Sequence, residues 1–560
     1  MDTQQSAVIK GKAVVPGVAF GPIAVVAPRP AVPEMGAEVD EGHREAEYKR
    51  FESAADAVVS ALKNRAMSLV GNAADVVNAT AGLAADRGWR RKVKKLTTQG
   101  RNAIDATVSA TASFVDMFTA NGGVFAERVA DLEDVRDRVL AQLQGIPEPG
   151  LPTLTSPSIL LADDLAPADT ATLNPELVLG IVTRCGGPTS HTAIIARQLN
   201  IPCVVAVGTS PVNIESERTP GLINGAAGEL TIRPDETAAA SAVHEWSQLA
   251  EKIAHWEGPA QTKDGHRVQL LANVQDGPQA ASAASTAVEG VGLFRTELLF
   301  LSSTKEPTVD DQAAAYSRVL NAFPTGKVVV RTLDAGSDKP VPFVEADKED
   351  NPALGVRGVR IAWDRQDILS RQLDAIAQAV ASSNHVNAPT WVMAPMIATV
   401  DEARWFADMC RERSLTPGVM VEVPAVAMCA SEIMREVDFV SIGTNDLTQY
   451  TMAADRLSSP LAHLNDPWQP AVLRLIKIVC SAGVETGTPV GVCGEAASDP
   501  LLACVLTGLG VNSLSVAAPS AAGVGAQIGD LTFEECQAMA AAALAATSAA
   551  DAKAAAAKAL

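Results

Sequence analysis

From residue 261 onward the chain repeats one rhythm: a short apolar run, a polar or charged tip, then a stretch with helical spacing. The apolar runs fall at 268–274, 290–294, 328–333, 391–395, 418–421, 439–442, 489–492 and 513–516. Such nearly continuous apolar runs suit parallel strands buried on both faces. Eight of them over nearly three hundred residues predict a (β/α)8 barrel, a fold whose chemistry sits at the C-terminal ends of its strands.

The first half reads differently. Residues 12–26 give two short β segments around Pro16-Gly17. No proline occurs between Glu34 and Ile146, and Val129, Leu132, Val135 or Arg136, Val139 and Leu140 mark a helical stripe. This block is expected to be a few antiparallel helices, with turns at Gly82, Gly88, Gly122 and Gly123. The basic run 90–95 reads as a solvated helix face ahead of a docking surface. Short β runs return at 158–162, 177–182, 203–207 and 229–232. They form a small α/β unit that residues 1–30 are expected to complete. An Ala/Glu-rich helix over 233–257 leads out, and 538–560 is an Ala-rich helical tail.

The chain has 560 residues and 47% hydrophobic content, enough for about three to four domains. A net charge of −20 argues against a general polyanion binder. Eight cysteines without a C-x-x-C pair argue against a zinc site or a disulfide framework, and fit a reducing cytoplasm. Neither a signal-peptide core nor a bilayer-length apolar run is present.

Two places carry chemistry. Cys185-Gly186-Gly187-Pro188-Thr189-Ser190-His191-Thr192-Ala193 follows an apolar run, and Thr189 and Ser190 offer N-cap oxygens to a helix that starts near His191. An imidazole there lies by the positive end of the helix dipole, which favours an anion and a neutral, nucleophilic ring. The second place is the barrel mouth. Arg295, Arg331, Arg357, Arg456, Lys339, Glu422, Asn445, Asp446 and Cys493 all fall at or just beyond strand ends. Arginines together bind a small, multiply charged anion. Glu422 and Asp446, on adjacent strands, offer the hard oxygens that suit Mg²⁺.

The segment 186–197 resembles the phosphohistidine motif of Enzyme I of the bacterial phosphotransferase system, phosphoenolpyruvate–protein phosphotransferase. The barrel motifs at 290–297, 331–339, 418–422, 441–450 and 492–495 are similar to that family's phosphoenolpyruvate domain, in family order. The resemblance implies a multidomain α/β fold: a swivelling phosphohistidine domain (1–32 and 147–232) with an all-helical insert (33–146) that docks the carrier HPr. It further implies a linker helix and hinge (233–260), a phosphoenolpyruvate-binding TIM barrel (261–545) and a tail (546–560). By the same resemblance His191 takes the phosphoryl group and passes it to HPr, the first step of sugar uptake. Arg295, Arg331, Arg456, Asn445 and Asp446 would bind phosphoenolpyruvate, with Arg357 and Lys339 auxiliary. Glu422 and Asp446 would ligate Mg²⁺, and Cys493 would protonate enolpyruvate. The family also implies a cytoplasmic homodimer joined through the barrels. The other seven cysteines are expected to be buried.

Three departures from the best-known members stand out. Pro188 replaces an arginine, Ala166 a threonine and Val423 a threonine, and Arg184 is expected to restore the charge lost at 188. The rivals are a pyruvate phosphate dikinase or phosphoenolpyruvate synthase, which carry a related histidine motif, and a nitrogen-branch phosphotransferase. Only Met1 to Gly11 precedes the first shared motif, and no Gly-x-x-x-x-Gly-Lys-(Ser/Thr) loop occurs, which favours direct charging by phosphoenolpyruvate. The lack of an added sensor domain favours the sugar branch.

Overall fold

In the computed structural model the described residues are 6–27, 29–32, 35–67, 72–121, 128–152, 154–165, 167–170, 173–187, 190–208, 219–301, 305–336, 341, 343, 349–385, 389–456, 458–461 and 463–559. They divide into two units, Met1–Leu249 and Ala250–Leu560.

Eight strands form the sheet of the first unit: β1 (Ala7–Lys10), β2 (Lys12–Val15), β3 (Val18–Val25), β4 (Ser158–Ala162), β5 (Val178–Thr183), β6 (Cys203–Val205), β7 (Pro220–Asn224) and β8 (Glu229–Ile232). Their order is β1-β8-β7-β3-β4-β5-β6-β2. β3 runs parallel to β4 although the whole helical block lies between them in sequence. The pattern missed β1 and β7. Both lie in the antiparallel part of the sheet and are short, with every position of β1 and alternate positions of β7 exposed or only partly buried, so neither shows a long apolar run.

Helices at Arg44–Met67, Asn72–Ala84, Arg87–Thr98, Ala103–Asn121 and Val129–Gln144 make up the block. They close over Phe51, Leu62, Trp89, Leu132, Val135 and Val139. The expected turn at Gly82 is wrong: Gly82 lies within helix Asn72–Ala84, and Gly88 lies in the first turn of the next. Asp86 supplies the break, since its carboxylate accepts from the Trp89 amide and caps the helix. Gly122 and Gly123 lie outside the described residues. Arg90 of the basic run pairs with Asp56 at 2.7 Å, and Lys94 sits 5.0 Å from the Tyr48 ring centroid. A buried charge cluster that the stripe does not show joins the block to the short helix Pro167–Thr170: Arg138 bonds Asp134 at 2.8 Å and Asp169 at 3.2 Å.

The second unit is a closed parallel barrel of β9 (Gln269–Val274), β10 (Gly290–Arg295), β11 (Lys327–Arg331), β12 (Thr390–Ala394), β13 (Thr416–Val421), β14 (Phe439–Ile442), β15 (Val490–Val492) and β16 (Ser513–Val516). All eight expected strands are present. Outward positions such as Val291, Val330, Val392, Val421, Val440 and Leu514 pack on the surrounding helices in one large apolar core. The Ala-rich end forms two helices, Phe533–Ala545 and Ala549–Lys558. It belongs to that core rather than hanging free, since Ala549, Ala552 and Ala556 are buried in it.

Candidate active site

β5 leads through Gly186, at φ +86°, to Ser190, whose Oγ accepts from the Ala193 amide and caps the helix His191–Leu199. His191 is therefore the first helical residue, as the capping pattern predicts. One residue on, Thr192 Oγ1 donates to Asp164 Oδ1 at 2.7 Å and accepts from the Leu165 amide. That ties the loop at 163–165 to the first turn of the helix. Pro188, Thr189 and Ala166 lie outside the described residues. Arg184 forms a partly exposed ion pair with Asp163 at 2.8 Å.

The barrel mouth brings together every expected site residue there except Lys339, which lies outside the described residues. A cavity of about 200 Å³ is lined by Arg295, Arg331, Arg357, Arg456, Asn445, Asp446 and Cys493, among others. Arg295 ends β10 and Arg331 ends β11. Glu422 follows β13, Asn445 and Asp446 open the helix after β14, and Cys493 follows β15. Strand ends set their height, because parallel strands in register finish on one rim.

Two acids that the residue-by-residue reading left without a role hold the arginines. Asp334 accepts from Arg357 Nε and Nη2 at 3.0 and 3.1 Å, a bidentate pair, and lies 3.1 Å from Arg331 Nη1. Glu297 Oε1 accepts from Arg331 at 2.7 Å and from the Asp334 amide at 3.2 Å. Arg357 also donates to Asp446 at 3.0 Å, and Arg456 stands 3.8 Å from the other Asp446 oxygen. Both acids were visible in the motifs, Glu297 as the last residue of 290–297 and Asp334 inside 331–339. What sequence lacked was the pairing. Burial alone would favour neutral Arg331 and Arg357, but these carboxylates outweigh it, and both pKa values are raised.

Some polar atoms remain unused. The Nε of Arg295, the Nε of Arg331 and the Oε2 of Glu422 are buried without a hydrogen-bond partner among the described residues. Buried polar groups are ordinarily satisfied, so three such atoms close together on one rim point to a ligand. Glu422 Oε1 accepts from the Met396 amide at 2.7 Å. Met396 adopts φ +63°, unusual for a residue with a Cβ, and such strain gathers at functional sites. Burial first, then Asp446 and Asp334, push the Glu422 carboxyl up to about 8. A hard divalent cation would relieve that repulsion. Glu422 and Asp446 fit Mg²⁺, which needs only one or two protein carboxylates besides water and substrate oxygens.

Cys493 is 1% exposed. Burial raises its pKa, and a hydrogen bond from Ser441 and the Arg331 charge oppose the rise, so the thiol holds its proton at neutral pH. Of the other seven cysteines, Cys203, Cys410, Cys480, Cys504 and Cys536 are buried. The expectation fails for Cys185 and Cys429, which are exposed because both lie at turns, after β5 and between two short helices.

Gly494 is required by close approach. A Cβ there would overlap Thr444 Oγ1 and lie 2.7 Å from the Thr444 amide nitrogen. Gly494→Ala should displace Thr444 and the adjoining Asn445 and Asp446, costing about 1–3 kcal/mol of overpacking. A rise in the Kd for phosphoenolpyruvate of about tenfold or more is expected from the same shift, measured by calorimetric titration.

An anion-binding barrel rim, and a separate domain bearing a helix-capped histidine, are the parts of a phosphoenolpyruvate-utilising enzyme. Three descriptions of that class match the chain: its N-terminal region at 10–128, its mobile domain at 154–228 and its phosphoenolpyruvate-binding domain at 250–532. The chain is 45% identical to the phosphoenolpyruvate-protein phosphotransferase of Streptomyces coelicolor, over 98% of both chains. It is 37% identical to that of Bacillus subtilis, covering 88% of this chain and 90% of the other, and 37% identical to that of Geobacillus stearothermophilus, covering 88% of each. The chain belongs to the phosphoenolpyruvate–protein phosphotransferase family, Enzyme I, and is an enzyme of phosphoenolpyruvate-dependent phosphotransfer.

Proposed function

We propose that the chain moves the phosphoryl group of phosphoenolpyruvate to its own His191 and from there to the histidine of HPr, as the first step of sugar uptake. The observation that carries the barrel half is the set of unpaired buried donors, Arg295 Nε and Arg331 Nε, on one small cavity with the Cys493 thiol. Arg295 and Arg331 meet the phosphate and carboxylate, with Arg456, Asn445 and Asp446 completing the cradle. Arg357 and Lys339 assist, Arg357 chiefly by holding Asp334 and Asp446 in place. Glu422 and Asp446 hold Mg²⁺, which neutralises phosphate charge as the group transfers.

As the phosphorus–oxygen bond to enolpyruvate breaks and His191 takes the group, Cys493 gives its proton to the methylene carbon, yielding pyruvate. Ketonisation draws the transfer forward. His191 and the barrel rim belong to different units, so transfer requires the units to meet, with the hinge within 232–258. Kinship with the family supports a reaction in the cytoplasm. Among the described residues no helix is long and apolar enough to cross a membrane. Exposed Leu354, Val356 and Trp363 offer apolar surface for a dimer joined through the barrels.

Incubation with [³²P]phosphoenolpyruvate and Mg²⁺ tests this reading. Acid-labile label should appear on the parent chain and not on His191→Ala, and Cys493→Ala should release no pyruvate. Label retained by His191→Ala defeats the proposal. Charging by ATP with pyruvate, without phosphoenolpyruvate, would favour the dikinase reading instead.

A further inference from the structure

Barrel interiors of this kind are ordinarily filled by bulky branched side chains. Here that holds for one side. Leu293, Val329, Met393, Met420 and Phe439 cluster with Trp391. The opposite wall, on β10, β14, β15 and β16, presents Gly292, Ser441, Gly491, Ser513 and Ser515 to a cavity of about 110 Å³. The glycines face the serines. A Cβ on Gly491 would lie 2.7 Å from Ser513 Oγ and 3.8 Å from Ser441 Oγ, and one on Gly292 would lie 2.5 Å from Ser515 Oγ. Any larger residue at either position would close the space, which is large enough for a few waters with hydroxyl partners.

This cavity lies below the substrate site, toward the N-terminal ends of the strands, and the mechanism above makes no use of it. Its two ends have distinct chemistry. At the inner end stands Ser441, on β14 beside Ile442, whose carbonyl accepts from the Cys493 thiol at 3.6 Å. Asn273 Oδ1 accepts from the Ser515 hydroxyl at 2.7 Å, and Asn273 Nδ2 donates to the Cys493 carbonyl at 3.5 Å. At the outer end stands Lys327, the first residue of β11, with Nζ 4.3 Å from the Trp391 ring centroid. Lys327 is half-buried and lines the cavity.

The role of Cys493 as the acid creates a need. Once the thiol has protonated carbon it is a buried thiolate, and it must regain a proton before another cycle. Resting on that role, we propose that the serine-lined cavity is the path of the returning proton, entering at Lys327 and delivered to Cys493 by Ser441. Ser441 gives its hydroxyl proton to Sγ and takes one from a cavity water. The Lys327 ammonium restores that water and is reprotonated from solvent. One proton moves from solvent to sulfur; no electrons transfer and no other bond is lost. Burial brings Lys327 down to about 8, so its amine both gives and regains protons near neutral pH. Ser441 and Lys327 touch no substrate atom. They are positioning and relay residues.

The test is phosphoenolpyruvate–pyruvate exchange by the full chain with Mg²⁺ in D₂O. Transfer of ¹³C between pyruvate and phosphoenolpyruvate counts phosphoryl cycles. Deuterium at the methyl carbon, read by NMR in the same sample, counts proton exchange at Cys493. In the parent, deuterium should accompany carbon exchange closely. In Ser441→Ala the ratio of deuterium to carbon exchange should fall about tenfold, the scale of a lost positioned proton donor. Ser441→Thr, which keeps the hydroxyl, should restore it, and Lys327→Met should lower it. A parental ratio in Ser441→Ala or in Lys327→Met overturns the route, as does a fall in Ser441→Thr equal to that in Ser441→Ala. Carbon exchange that survives in Cys493→Ala sinks the acid reading itself. Loss of exchange there alongside a parental ratio in Ser441→Ala sinks the route alone.

Discussion

Asp334→Ala should both destabilise the barrel unit and cripple its use of phosphoenolpyruvate. Asp334 is 2% exposed and is the shared partner of two buried guanidinium groups, through the bidentate bonds from Arg357 and the contact with Arg331. Removing it leaves Arg357 with Asp446, and Arg331 with Glu297. Stripping one partner from a buried ion pair typically costs about 3–5 kcal/mol, because the remaining charge stays desolvated. Urea unfolding followed by tryptophan fluorescence should show that loss in the transition of the barrel. The freed guanidinium groups also lose their fixed orientation toward the cavity. A fall in kcat/KM for phosphoenolpyruvate of about 10²-fold or more is the expected kinetic result. Asp334→Asn keeps the shape and one acceptor, and should lose less stability than Asp334→Ala. An Asp334→Ala protein with parental stability would show that the two arginines find other partners, and the hub would then have no structural role.

Glu422→Gln should act in opposite directions on stability and on activity. In protein stripped of divalent ions, burial and the nearby Asp446 and Asp334 hold the Glu422 carboxyl at about 8 against an ordinary 4.5. The native state therefore keeps a proton between these values that the unfolded chain releases. With more protons bound when folded, stability is greatest at the acid end of that window and falls as pH rises through it, by on the order of a few kcal/mol in total. Glutamine mimics the protonated form, so the variant should lack this decline and be the more stable protein near pH 8. Mg²⁺ should reverse the ranking. The parent should gain melting temperature on adding Mg²⁺, whereas Glu422→Gln should gain little, and its phosphotransfer rate should drop about 10³-fold with loss of the ligand. A variant that keeps the Mg²⁺-dependent shift would remove Glu422 from the metal site.

The barrel was readable because its strands are buried on both faces and so appear as continuous apolar runs, and all eight occur where the runs lie. The charged rim was readable for a related reason. Arg295, Glu422 and Asp446 interrupt the pattern just where a strand ends, and a charge so placed has no role in packing. β1 and β7 were not legible, since short, incompletely buried strands carry no run. Gly82 misled, because an exposed helix accepts a glycine at a cost of about 1 kcal/mol when nothing crowds it. Ser441 and Gly491 were hidden inside runs that read simply as apolar strand.

Element order, the barrel class and the height of each charged side chain follow from spacing along the chain, since strand periodicity and strand ends are local properties. Which acid meets which base does not. Arg331 and Glu297 are 34 positions apart, and Arg357 and Asp446 are 89 apart; only closure of the barrel makes them neighbours. The orphaned Nε atoms, the raised Glu422 carboxyl and the hydroxyl-lined space beneath Cys493 likewise belong to the folded state. Each depends on how much water is excluded, and desolvation is set by the whole enclosing structure, which no stretch of sequence carries alone.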